Sequence, residues 1–265
     1  MSRALALSEA GLAFGERTLW SGMNLEVTRG EFIAVLGTNG AGKSSLLKVL
    51  LGLIPLSQGS AEVLGTPVRR GRRDVGYLPQ HRTFAVDAPL RARDLVRFGV
   101  DGFRWGLGGN RRARARVDVL LESVGALGYA EARVGQLSGG EQQRLRIAQA
   151  LASDPAVMLC DEPLQSLDVY HQRMVVELID RYRRELGGSV LFVTHDINPV
   201  LSVVDRVLYI LNGTFRLGTV DEVMTSEILS ELYGAEIEVI RRGNRLIVVG
   251  ADDQVHHASP DGYPS

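Results

Sequence analysis

Eight consecutive residues, Gly37-Thr38-Asn39-Gly40-Ala41-Gly42-Lys43-Ser44, restrict the fold of this chain more than any others. They fit the spacing G-x-x-x-x-G-K-[ST] in full, and that pattern works only between a buried strand and the start of a helix. Both flanks are present. Phe32-Ile33-Ala34-Val35-Leu36 is a short apolar run of strand type, and Ser45-Leu46-Leu47-Lys48-Val49-Leu50-Leu51 reads as the helix that follows. The glycines let backbone N–H groups close around a β-phosphate, and the helix N-terminus adds a favourable dipole. Lys43 supplies a point charge to the β- and γ-phosphates, and the Ser44 hydroxyl is placed to ligate Mg²⁺. The pattern predicts an α/β chain whose parallel core opens at this loop.

A second stretch supplies carboxylates. Val157-Met158-Leu159-Cys160 has the composition of a buried parallel strand, and Asp161 and Glu162 emerge at its C-terminal end, the edge where open α/β sheets bind ligands. Asp161 is expected to hold Mg²⁺ through water, and Glu162 to orient and polarise an attacking water. Adjacent carboxylates at a strand end can also cap the next helix. A third stretch, Leu137-Ser138-Gly139-Gly140-Glu141-Gln142-Gln143-Arg144, has the Ser-x-x-Glu spacing of a capping box and predicts a helix running on to Leu151. Two glycines just inside that helix start leave backbone N–H groups open to an anion.

With these stretches in this order the chain resembles the ATP-binding-cassette family, specifically the nucleotide-binding subunits of ABC transporters, over residues from about 5 to 234. The resemblance implies the ABC ATPase fold: a P-loop NTPase parallel-sheet core, an antiparallel β subdomain and an inserted α-helical subdomain at about 87–150. It implies that the phosphate loop, including Gly37, Asn39, Gly40, Ala41, Gly42, Lys43, Ser44 and Ser45, binds ATP with Mg²⁺. Phe14 matches the aromatic residue on which adenine stacks. Gln80, in Tyr77-Leu78-Pro79-Gln80, matches the Q-loop glutamine that approaches Mg²⁺ and the attacking water. Asp168, in Ser166-Leu167-Asp168, matches the D-loop, and His195, in Val193-Thr194-His195-Asp196, the switch histidine that contacts the γ-phosphate. Ser138, Gly139 and Gly140 are then expected to face the γ-phosphate held by Lys43 of a second copy, in a two-fold dimer. Thr38, Ser45, Cys160 and Gln165-Ser166-Leu167 differ from the commonest residues of the family at those positions, and none of these departures removes a catalytic group.

The remaining organisation follows from periodicity and punctuation. Residues from about 5 to 30 form strand-like runs broken by Gly15-Glu16-Arg17. Val117, Leu120, Leu121 and Val124 recur at helical spacing before Gly125. Val190-Leu191-Phe192-Val193 reads as a parallel strand. Val207-Leu208-Tyr209-Ile210-Leu211 with Thr214-Phe215-Arg216-Leu217 reads as a hairpin, and so do the runs 237–240 and 246–249 around Gly243-Asn244. The sequence thus predicts an ATPase domain at 1–234, a hairpin extension at 235–250 and a disordered tail at 251–265.

A net charge of −1 over 265 residues gives no general pull toward nucleic acid or membrane. Arg69-Arg70-Gly71-Arg72-Arg73 and Arg111-Arg112-Ala113-Arg114-Ala115-Arg116 carry no interleaved aromatics and read as solvated faces. A single cysteine permits no intrachain disulfide, and His256-His257 with Asp252 and Asp253 is a weak candidate metal site. No apolar run approaches the roughly 20 residues that span a bilayer, and Met1-Ser2-Arg3-Ala4 leads directly into a strand. The chain is therefore expected at the cytoplasmic face of the membrane, held there by an integral membrane permease dimer.

Segments 77–99 and 211–234 resemble the ATP-binding subunits of zinc and manganese uptake systems, which implies an extracytoplasmic metal-binding protein as a further partner. Iron-chelate and cobalamin importers share much of the same pattern. Soluble ABC-type ATPases that act on ribosomes or DNA carry two cassettes or a long coiled-coil insertion, whereas this chain has one phosphate loop and no heptad run.

Overall fold

The apolar run ahead of the phosphate loop becomes a central strand of the larger sheet, and the chain is laid out around it. The computed structural model describes residues 2–80, 84–102 and 111–250. The 251–265 tail, with its histidine pair and Asp252 and Asp253, lies outside the described residues. In chain order the elements are β1 (Arg3–Phe14), β2 (Arg17–Thr28), β3 (Phe32–Gly37), α1 (Lys43–Leu50), β4 (Gln58–Val63), β5 (Thr66–Pro67), β6 (Val75–Leu78), α2 (Ala92–Asp101), α3 (Arg111–Ser123), α4 (Gly139–Ala150), β7 (Val157–Asp161), α5 (Val169–Leu186), β8 (Ser189–Val193), β9 (Arg206–Leu211), β10 (Thr214–Gly218), α6 (Val220–Val223), α7 (Ser226–Tyr233), β11 (Ile237–Arg242) and β12 (Arg245–Gly250).

The larger sheet runs β10-β9-β3-β8-β7-β6. Strands β9, β3, β8, β7 and β6 are parallel, and β10 closes one edge as an antiparallel hairpin partner of β9. Its central strands are apolar at nearly every position because both faces are covered. Alternation along each strand sorts the side chains into two cores. Phe32, Ala34 and Leu36 of β3, Met158 and Cys160 of β7, and Val190 and Phe192 of β8 join the core beneath the helices. Ile33 and Val35, Val157 and Leu159, and Leu191 and Val193 join the opposite core, shared with α1 and the antiparallel sheet. Cys160 is fully buried in the first of these, where desolvation pushes its thiol pKa up and leaves it a packing residue.

The antiparallel sheet has the order β2-β1-β4-β5. Phe14 and Arg17 face each other where the β1–β2 hairpin turns at Gly15-Glu16. In place of several short strands, β1 and β2 are each 12 residues long and absorb their irregularity as register shifts. Helices α2, α3 and α4 fall between β6 and β7 in the chain, and α3 buries Val117, Leu120 and Leu121 before Gly125, at φ 67°, breaks the run. The helical pattern read from about residue 87 begins at Ala92, because Arg91 is extended (φ −85°, ψ 155°) and serves as N-cap. In the C-terminal part, β11 and β12 pair with Ile240 opposite Ile247 as a separate two-stranded sheet.

Of the basic residues, Arg111 and Arg114 are exposed on α3, Arg116 pairs with Asp154, and Arg72 is held by Asp74 at 2.6 Å. Among the described residues no helix is long and apolar enough to cross a membrane.

Candidate active site

The parallel register decides which residues meet at the C-terminal edge of the sheet. Gly37 ends β3 opposite Ile210 of β9, at φ 140°, and a Cβ there would lie 2.0 Å from the Ile210 carbonyl oxygen. Gly42 is the N-cap of α1 at φ 96°, and a Cβ there would meet the Trp20 indole nitrogen at 2.8 Å. No side chain caps α1, so its first N–H groups are left for a ligand. Lys43 is 5 % exposed, and its ammonium donates to the carbonyls of Gly37 at 2.8 Å and Thr38 at 3.0 Å. Burial lowers its pKa, opposed by the nearby carboxylates of Glu162 and Asp161. Asn39 and Gly40 form the exposed crest of the loop, Ala41 is buried beneath it, and Ser45 is half-buried on the first turn of α1.

Asp161 closes β7, where it is paired in register with Val193 of β8, and it is 5 % exposed. Its Oδ1 accepts a hydrogen bond from the Ser44 hydroxyl at 2.7 Å, and its Oδ2 one from the Tyr77 hydroxyl at 3.5 Å. Burial, and then the Asp161 charge, push the Tyr77 pKa up to about 12. Among the described residues no group of three or more His, Cys, Asp or Glu side chains could hold a metal. A hydroxyl beside one carboxylate is nevertheless the donor set Mg²⁺ uses when phosphate oxygens and water complete its shell. Ser44 and Asp161 fit that role. Glu162 takes a left-handed backbone (φ 46°), which costs roughly 1–2 kcal/mol in a non-glycine residue. Its N–H is tied to the Val193 carbonyl at 3.0 Å, so the turn carries its carboxylate just beyond the strand end, near Lys43.

The other residues singled out by sequence surround this pair at different distances. Gln80 leaves β6 level with Glu162 on β7, since Leu78 pairs with Cys160, and its Nε2 donates to Gln165 Oε1 at 2.8 Å. His195 is exposed directly after β8. Asp168 is the N-cap of α5, accepting from the His171 N–H at 2.9 Å and lying 2.8 Å from His171 Nδ1; the first of these bonds is the main cause of its lowered pKa. Phe14 is 50 % exposed at the hairpin turn.

Ser138 caps α4 in a full capping box with Glu141, a cap type worth about 1 kcal/mol. Among the described residues no hydrogen bond joins Ser138, Gly139 or Gly140 to the phosphate loop. Gly140 instead lies against the His171 ring, whose Cδ2 is 2.1 Å from the point a Cβ would occupy.

Sequence reading missed Arg17, Tyr77 and Gln165. Arg17 Nη2 donates to the Gly40 carbonyl at 3.2 Å and, with Thr38, Asn39 and Asn212, lines an open cavity of about 210 Å³ beside the loop. Its one signal was its place across the turn from Phe14. Tyr77 and Gln165 were visible only as neighbours of motif residues.

A family model described as "ABC transporter" matches residues 20–165. The zinc transport system ATP-binding protein of Treponema pallidum (strain Nichols) is 33 % identical over 245 residues, covering 91 % of this chain and 92 % of the relative. The iron(3+)-hydroxamate import ATP-binding protein of Bacillus subtilis (strain 168) is 31 % identical over 89 % of this chain and 90 % of the relative. Among solved structures, cbiO1 from Clostridium perfringens, part of the ABC transporter complex cbiONQ, superposes with a TM-score of 0.72 at 26 % identity, covering 87 % of this chain and 94 % of that one.

Proposed function

The chain belongs to the ABC transporter family, as one of its ATPases, and from that premise we propose that it powers an importer for zinc or manganese, working from the cytoplasmic face of the membrane on a separate permease dimer. The observation that carries the catalytic part is the cluster at the sheet edge: Lys43 against the loop carbonyls, Ser44 bonded to Asp161, and Glu162 just beyond. Lys43 and the N-terminal N–H groups of α1 hold the β- and γ-phosphates. Ser44 and Asp161 would hold Mg²⁺, which would supply charge neutralisation for the phosphates. Glu162 takes the proton of the attacking water as ADP and phosphate form, His195 meets the γ-phosphate, and Phe14 stacks on the adenine.

Half of the phosphate shell is supplied by a second copy. Within one chain the capped start of α4 is bonded to its own Glu141 and packed on His171, not on the phosphate loop, which supports Ser138, Gly139 and Gly140 serving the loop of the partner. Enclosing ATP then clamps two copies, and hydrolysis releases them. The Gln80 loop and helices α2–α4 pass that motion to the permease, and an extracytoplasmic metal-binding protein delivers the ion.

The substrate rests on the zinc-transport relative and on the resemblance of segments 77–99 and 211–234 to zinc and manganese systems. The iron-hydroxamate relative is nearly as similar, which favours an iron-chelate importer as the second reading. Cells lacking the chain, grown under metal starvation, are expected to accumulate less zinc or manganese than cells with it. Unchanged zinc and manganese with reduced iron-hydroxamate uptake would replace the first reading by the second, and equal accumulation of all three would remove both.

A further inference from the structure

Gln165 stands where the family resemblance has no glutamine, and it touches a residue of the proposed mechanism. We propose that Gln165 is a positioning residue that holds the Gln80 side chain away from the Ser44–Asp161 pair until nucleotide binding moves the turn on which Gln165 sits. The inference rests on the reading of Gln80 as a group that turns toward Mg²⁺ in the enclosed site.

The contact follows from register. Strands β6 and β7 are parallel with Leu78 opposite Cys160, so Gln80 and Glu162 leave the sheet side by side. The chain after Glu162 then folds back in a turn fixed by two short backbone bonds, Gln165 N–H to the Glu162 carbonyl and Leu167 N–H to the Leu164 carbonyl, each 3.2 Å. Left-handed residues at both ends, Glu162 at φ 46° and Ser166 at φ 63°, set its shape. Two further amides clamp it from outside: Gln143 Nε2 of α4 donates to the Pro163 carbonyl at 2.9 Å, and Gln172 Nε2 of α5 to the Leu167 carbonyl at 3.0 Å. The acceptor that Gln165 offers at 2.8 Å is therefore attached to the rigid segment joining Glu162 to Asp168. Gln142 of α4 also accepts from the Phe84 N–H at 3.3 Å, four positions beyond Gln80.

Helix α4 thus fixes the turn that carries Gln165, while the Gln80 side chain is held to that turn by the one bond to Gln165. A second copy pressing on Asp168 would displace the turn and its acceptor, and the Gln80 side chain, released at its Nε2, would be free to turn its carbonyl oxygen toward the Ser44–Asp161 pair. The loss of one hydrogen bond would thus link a rearrangement at the dimer face to the position of the Gln80 side chain. Such a bond between partly exposed amides has a modest net strength, so its removal should shift the equilibrium roughly threefold to tenfold and not more.

The test is the Mg²⁺ dependence of the full chain at saturating ATP, read as ATPase activity and, in the non-hydrolysing Glu162→Gln background, as the Mg²⁺ concentration that half-maximally drives the doubling of mass in light scattering. Gln165→Ala is expected to lower the half-saturating Mg²⁺ concentration by roughly threefold to tenfold, with kcat within about twofold of the parent. Gln165→Met keeps the side-chain length without the acceptor and should give the same decrease. In a Gln80→Ala background, where the half-saturating concentration is itself raised, Gln165→Ala should have no further effect. An unchanged Mg²⁺ dependence in Gln165→Ala, a parent-like value in Gln165→Met, or the same decrease without Gln80 would each overturn the proposal. If Gln80→Ala alone leaves the Mg²⁺ dependence unaltered, the role given to Gln80 fails first and this inference fails with it.

Discussion

Glu162→Gln is expected to lower kcat for steady-state ATP hydrolysis at least about hundredfold, while ATP binding is retained. The substitution keeps the length and the left-handed turn of residue 162, whose backbone is fixed through the Val193 carbonyl, and removes only the group that accepts the proton. The phosphate loop, Lys43 and the Ser44–Asp161 pair are untouched. The arrested protein is then expected to accumulate as two copies enclosing ATP, visible as a doubling of mass by light scattering in the presence of Mg²⁺ and ATP. Lys43→Ala should separate the two functions in the opposite sense, because its buried ammonium is the charge proposed to meet the phosphates. It weakens ATP binding by about tenfold to hundredfold, the loss of one or two charge-assisted hydrogen bonds. Steady turnover by Glu162→Gln would dismiss Glu162 as the base, and parent-like ATP affinity in Lys43→Ala would dismiss Lys43 as the phosphate ligand.

Gly37→Ala has the largest expected effect on folding. At φ 140° the residue is in a region that side chains avoid, and a methyl group there would sit 2.0 Å from a backbone oxygen of the neighbouring strand. Backbone on backbone leaves no flexible atom to give way, so β3 and β9 must separate where they pair at Gly37 and Ile210. The cost is at least about 3 kcal/mol, read as a lowered urea midpoint with ATP absent. Thr38→Ala, one residue on and exposed, should change stability by less than about 0.5 kcal/mol in the same titration. Equal midpoints for the Gly37 and Thr38 variants would mean that the β3–β9 contact is not as close as described.

The elements legible in the sequence are those whose signal is local. The phosphate loop is written in eight adjacent residues, the start of α4 in a Ser-x-x-Glu spacing, and the central strands in unbroken apolar runs that exist because both faces of the parallel sheet are covered. Strand β4 was missed because it opens on Gln58-Gly59-Ser60, all exposed where β4 runs past its short partner β5, so it has no apolar onset. Arg91, in the extended conformation of an N-cap, delays the first inserted helix to Ala92 although its neighbours already follow a helical pattern.

Within the site, residue types and roles were open to reading, but pairings were not. Ser44 and Asp161 are 117 positions apart and meet only through the register of β3, β8 and β7. Gln80 with Gln165 likewise depends on the β6–β7 register, and Arg17 with the Gly40 carbonyl on the approach of the β1–β2 hairpin to the phosphate loop. A single sequence states which strands are buried but not which residues face each other across them.

The claim that this ATPase drives transport through a separate membrane partner is tested most directly by trapping it at work. Tagged Glu162→Gln, expressed in the native cell, held with Mg²⁺ and ATP and solubilised gently, should bring down a membrane protein of several spans that has no ATP site of its own. Mass spectrometry identifies that protein, and with it the transport system. Recovery of ribosomes or DNA-repair proteins, with nothing from the membrane, would contradict the account.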